Sequence, residues 1–125
     1  MAARHRILIV EDSATMRQLI GFALKRIPGL EITEAKDGMD GLRQLMAAHY
    51  DLVVVDINMP VLDGLRLIQL IREEPEHNDV RIVVITTEGA NADREKAMAL
   101  GADAYLTKPV QAGEVLSVAK GLLRI

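Results

Sequence analysis

No cysteine occurs in this chain, which excludes disulfides, thiolate metal sites and thiol nucleophiles. Tryptophan is absent too, and Phe22, Tyr50 and Tyr105 are the only aromatic residues. Three rings are too few for a base-stacking platform or for a sandwich around a flavin. Positive charge is not in excess: a net charge of −3 argues against binding nucleic acid through a basic field. No apolar run approaches the roughly 20 residues a membrane-spanning helix needs. The opening Met1-Ala2-Ala3-Arg4-His5 leads straight into a strand-like segment and is not a signal peptide. What remains is an ordinary globular balance, half apolar and about a quarter charged, over 125 residues. That length supports one core, so a single cytoplasmic domain spanning 1–125 is expected, without nucleic acid or membrane insertion.

Leu52 to Val55 is a β-branched apolar run of the kind a parallel strand buried on both faces requires. Similar runs are Arg6 to Val10, Arg81 to Thr86 and Ala104 to Thr107. Glu31 to Ala35 alternates instead, as a half-exposed edge strand does. Helical periodicity separates these segments. Met16, Leu19, Ile20, Ala23, Leu24 and Ile27 form one stripe, with Ser13 as its cap and Pro28-Gly29 as its stop. Leu42, Leu45 and Met46 point inward from a second helix after Asp37-Gly38, and Leu67, Ile68 and Ile71 from a third. A short polar helix runs from Asn91 to Leu100, and the last carries Val115, Leu116, Val118, Ala119, Leu122 and Leu123. Met16, Met46 and Met98 read as packing residues, and His5, His49 and His77 as scattered surface groups without ligand spacing.

This alternation predicts an α/β fold: a doubly wound five-stranded parallel sheet of flavodoxin-like order 2-1-3-4-5, with right-handed crossovers. Its polar second strand falls at an edge. Ligands in such folds sit outside the carboxyl ends of the strands where the chain reverses direction across the sheet. The residues at those ends are Glu11 and Asp12, Asp56, Thr86 and Lys108. Carboxylates about 5 Å apart repel by about 3 kcal/mol per pair at an effective dielectric of about 20, so the cluster calls for a cation. Oxygen-only ligands with positions left for water suit Mg2+. A hydroxyl and an ammonium opposite suit an anion beside it. Together they describe a phosphoryl site with Asp56 as carboxylate nucleophile.

Each residue alone has a plainer reading. Asp12 and Ser13 are ordinary helix caps, Thr86 an ordinary strand residue, Lys108 an ordinary solvated loop lysine. Their shared placement at the ends of neighbouring strands favours the site. A haloacid-dehalogenase-like phosphohydrolase would need an acid at position 58, where Asn58 stands. A flavodoxin-like carrier would set Glu11-Asp12 against a flavin phosphate. A binding module that never takes phosphate is the third rival.

The chain resembles the receiver domains of bacterial two-component response regulators. The segments that carry the likeness are Ile9-Val10-Glu11-Asp12-Ser13, Asp56-Ile57-Asn58-Met59-Pro60 with Asp63-Gly64, Val84-Ile85-Thr86-Thr87, Gly101-Ala102-Asp103 and Tyr105-Leu106-Thr107-Lys108-Pro109. It is most similar to the stand-alone chemotaxis-type members. The resemblance implies Asp56 as phosphoacceptor and Mg2+ held by Glu11, Asp12, Asp56 and the backbone carbonyl of Asn58. It further implies Thr86 and Lys108 on the phosphoryl group and Tyr105 as an aromatic switch residue. A histidine kinase or phosphotransfer protein would supply the group to a monomer, and an unidentified protein would read it. Further expectations are a cis Lys108–Pro109 bond, water access past Asn58 and Glu88 with self-dephosphorylation, and an output face on the fourth helix, fifth strand and fifth helix.

Overall fold

The computed structural model describes residues 5–87 and 89–125. In chain order its elements are β1 (His5–Val10), α1 (Ala14–Leu24), β2 (Leu30–Ala35), α2 (Gly38–Ala47) and β3 (Leu52–Asp56). There follow α3 (Gly64–Glu73), a 3-10 turn (Pro75–His77), β4 (Arg81–Thr86), α4 (Asn91–Leu100), β5 (Ala104–Thr107) and α5 (Ala112–Leu123). The strands form one sheet in the order β2-β1-β3-β4-β5, every neighbouring pair parallel. Both the order and the polar edge strand agree with the sequence reading.

Because successive side chains leave a strand on opposite faces, each strand feeds two cores. Leu8, Val10, Val53, Val55, Ile82 and Val84 meet Leu45, Leu67, Ile68, Ile71 and Ala97 from α2, α3 and α4. Ile7, Ile9, Leu52, Val54, Val83, Ile85 and Leu106 meet Ile20, Ala23, Leu24, Val115 and Ala119 from α1 and α5. Double burial explains why β1, β3 and β4 are apolar runs rather than alternating ones. The starts of α1, α2 and α3 are capped as their residues suggest. Ser13 Oγ accepts from the Met16 N–H at 3.3 Å, Asp37 from Asp40 at 2.8 Å and Asp63 from Arg66 at 2.9 Å. Gly101 ends α4 at φ 115°, a conformation that favours glycine.

Three expectations fail. α1 stops at Leu24, before Pro28-Gly29, although Ile27 beyond it is still buried. Leu19 lies at the border of the α1 stripe and is 38% exposed. Met46 and Met98 are not packing residues: they are 74% and 39% exposed, because Leu45 and Ala97 take the inward positions of their helices. Met16 does pack partly against the α1/α5 core.

Candidate functional site

Register brings the acidic residues together. Val10 pairs with Val55 across β1 and β3, so the residues that follow, Glu11 and Asp56, emerge side by side at the carboxyl edge. Carboxylate oxygens of Glu11, Asp12 and Asp56 all lie within 4.8 Å of one another. Glu11 and Asp56 are buried and Asp12 is exposed, which leaves the cluster open to solvent on one side. The turn from β3 into α3 is tight enough that a Cβ on Gly64 would meet the Asp56 carbonyl, so this approach needs glycine.

Both Asp56 carboxylate oxygens have donors. The Asn58 N–H donates to Oδ1 at 3.0 Å, and the Lys108 ammonium lies 3.2 Å from Oδ2. Lys108 reaches inward from the end of β5, and its bond to Pro109 is cis, as expected. Glu11 is held less completely. Its Oε2 accepts from the Ser13 N–H at 3.2 Å, while Oε1 is buried without a hydrogen-bond partner. Burial above all, and then the closeness of Asp12 and Asp56, pushes the Glu11 carboxyl up to about 8, with the Ser13 N–H offsetting part of the rise. An unpartnered buried oxygen in a cluster of three carboxylates fits a hard divalent cation. The oxygen-only donor set and the open side suit Mg2+ better than zinc or a fully protein-ligated calcium.

Thr86 and Tyr105 stand apart from this cluster. Thr86 is 3% exposed, and its hydroxyl donates to the Leu106 carbonyl at 3.4 Å, toward β5 rather than toward Asp56. Tyr105 pairs with Val84 and projects on the α4 side of the sheet, where it is 42% exposed. A cleft of about 320 Å³ lies beside them, lined by Thr86, Thr87, Ala90, Asn91, Arg94 and Thr107 among others. The Asn58 amide bridges to the Thr87 hydroxyl at 3.3 Å, linking the loops after β3 and β4. Glu88 lies outside the described residues.

Two arginines at the site escaped the sequence reading. Arg17 donates to the Glu11 carbonyl oxygen at 2.7 Å and its Nε lies 3.3 Å from Glu34 Oε1 on the edge strand. Arg94 places its guanidinium over the Tyr105 ring, 4.5 Å from the centroid. Arg94 sits in no motif, and Arg17 closes the Asp12-Ser13-Ala14-Thr15-Met16-Arg17 segment similar to the chemotaxis-type members without a role that its position alone suggests. Only an arginine one helical face away from a strand end could have hinted at them, and that signal is common.

Comparison with known proteins agrees with this geometry. The family description "Response regulator receiver domain" matches residues 7–120. A probable chemotaxis protein CheY from Rhizobium etli is 34% identical over 109 residues, covering 87% of this chain and 84% of that protein. The phosphate regulon transcriptional regulatory protein PhoB from Klebsiella pneumoniae is 34% identical over 119 residues, which are 95% of this chain but 52% of that protein. The chain thus spans about half the length of several curated relatives it matches. Among solved structures, the chemotaxis response regulator CheY4 of Vibrio cholerae superposes with a TM-score of 0.87 at 28% identity, covering 98% of this chain and 99% of that one. The receiver domain of a sensor histidine kinase from Pseudomonas aeruginosa, with a magnesium ion coordinated in its active-site cleft, also gives 0.87 at 28% identity, covering 98% and 100%. The chain belongs to the response regulator receiver domains, the phosphorylation-dependent switches of two-component systems.

Proposed function

We propose that Asp56 is the phosphoacceptor of this receiver and that a histidine kinase or phosphotransfer protein supplies the group. The observation that carries the reading is the environment of Asp56. It is a 1% exposed carboxylate with an ammonium at 3.2 Å and the oxygens of two further carboxylates within 4.8 Å. In the transfer, an Asp56 oxygen attacks phosphorus, the nitrogen–phosphorus bond of the donor imidazole breaks, and the imidazole leaves as a neutral base after taking up a proton. Glu11, Asp12, Asp56 and the Asn58 backbone carbonyl would hold Mg2+, which when bound offsets negative charge on the phosphoryl oxygens. Lys108 neutralises the same charge from the end of β5. Water reaches the acyl phosphate past the exposed Asn58 side chain, so the domain catalyses its own dephosphorylation.

Signal output rests on Thr86. Phosphorylation adds roughly −1.5 to −2 charge and strong acceptor oxygens. The Thr86 hydroxyl turns from Leu106 to this new acceptor, Tyr105 moves inward into the cleft, and α4, β5 and α5 present an altered face to a downstream protein. A monomer in the cytoplasm and a chemotaxis-type partner belong to the same proposal.

The test is incubation with acetyl phosphate and Mg2+, followed by intact mass. A gain of one phosphoryl group is expected in wild type, with none in Asp56→Asn or in excess chelator. Equal incorporation in Asp56→Asn would overturn the assignment.

A further inference from the structure

Tyr105 has more holding it outward than solvent. The Arg94 guanidinium covers its ring at 4.5 Å, within the range of a cation–π attraction. Arg94 is itself steadied by its own helix, through a 2.9 Å hydrogen bond from Nη2 to Asn91 Oδ1. The same arginine lines the cleft between α4 and Thr86. One side chain therefore touches both the outward ring and the space an inward ring would enter.

We propose that Arg94 is a positioning residue that latches Tyr105 in its outward rotamer, and through it lowers the affinity of Asp56 for a phosphoryl group. The inference rests on the phosphoacceptor reading above and adds a chain-specific control on it. Its logic is linkage. If binding at Asp56 recruits the Thr86 hydroxyl and the Thr86 shift draws Tyr105 inward, then any contact made only by the outward ring opposes binding. The Arg94–Tyr105 contact is of that kind. It also joins the rotamer to α4, because losing the ring removes a tie between that helix and β5. α4 has few others: Ala97 is its one buried residue, and its N-cap Ala90 makes no side-chain hydrogen bond.

The direction of the effect separates this role from simple electrostatics. Arg94 is a cation lining the same cleft as Thr86, so deleting its charge would by field alone weaken anion binding. Release of the latch predicts the opposite. An exposed cation–π contact corresponds to about a two- to fivefold change in the equilibrium it biases.

The experiment titrates beryllofluoride, a phosphoryl mimic, into the Mg2+-loaded full chain while NMR follows Tyr105 side-chain resonances and Asp56-proximal amides. Arg94→Gln should tighten binding two- to fivefold and shift the free-state Tyr105 resonances toward their bound positions. Arg94→Lys, which keeps a cation, should fall between Gln and wild type. In a Tyr105→Leu background, Arg94→Gln should no longer tighten binding. Unchanged or weakened binding in Arg94→Gln overturns the latch, as does equal tightening in the Tyr105→Leu background. If wild type binds no beryllofluoride near Asp56, the phosphoacceptor reading itself fails, which is a separate outcome from an intact site indifferent to Arg94.

Discussion

α3 and α4 are neighbouring helices of ten residues each, packed on the same face of the sheet, yet they are anchored very differently. α3 buries Gly64, Leu67, Ile68 and Ile71 and starts from Asp63, whose carboxylate caps the Arg66 N–H. α4 buries Ala97 alone and starts from an uncapped Ala90. Side chains such as leucine and isoleucine contribute roughly 1.5–3 kcal/mol each on full burial, and alanine much less. α3 is thereby fixed to the strand that carries Asp56, while α4 is held by Ala97, the partly buried Leu100 and the Arg94 contact on Tyr105. The proposed function would use both properties: a rigid scaffold around Asp56, and a weakly held element able to shift in response.

The largest way to break this contrast is truncation in α3. Leu67→Ala removes a fully buried side chain and should cost about 2–5 kcal/mol in urea unfolding. A loss below about 1 kcal/mol would mean that α3 is no better anchored than α4.

A second prediction concerns charge at the rigid end. The folded Glu11 carboxyl titrates near 8, well above its unfolded value of 4.5. The folded state therefore holds an extra proton between those values. Stability of the Mg2+-free protein should be greatest toward the acid end of that window and fall as pH rises toward about 8. The slope is at most about 1.4 kcal/mol per pH unit. Millimolar Mg2+ competes with the proton, so it should flatten the decline and bind more tightly as pH rises. Parallel unfolding curves with and without Mg2+ across this range would count against a shared site.

Capping sharpens the comparison further. Asp63→Ala should cost about 1 kcal/mol by removing the α3 cap, whereas Ala90→Ser should add up to about 1 kcal/mol by supplying one to α4. Slower amide exchange confined to the first turn of α4 is the expected signature of Ala90→Ser. The smallest effect is expected at Met98, 39% exposed on α4, where Met98→Ala should change stability by less than about 0.5 kcal/mol.

Much of the scaffold was legible before any coordinates. Leu52 to Val55, Arg81 to Thr86 and Asn91 to Leu100 have the bounds their residues suggested, to within a residue at the Asp56 end. Period and propensity act locally, and they also identify which polar residues terminate the apolar runs. Parallel pairing then forces Glu11 beside Asp56, because adjacent strand ends in register have nowhere else to go. Helix faces were less legible: Leu19, Met46 and Met98 have the right spacing but lie at stripe borders, where exposure depends on how the helix rolls on the sheet.

By itself, then, the sequence determined the order of elements, the polar edge and the set of residues delivered to the carboxyl end of the sheet. Those follow from interactions between residues close along the chain and from the two-fold alternation of strands. Only the tertiary structure decided that the Thr86 hydroxyl turns to Leu106, that Arg17 grips the Glu11 carbonyl, and that Arg94 covers Tyr105. Each of these joins two elements through the far end of a side chain, and where that end comes to rest is set by the packing of helix on sheet, which no local pattern encodes.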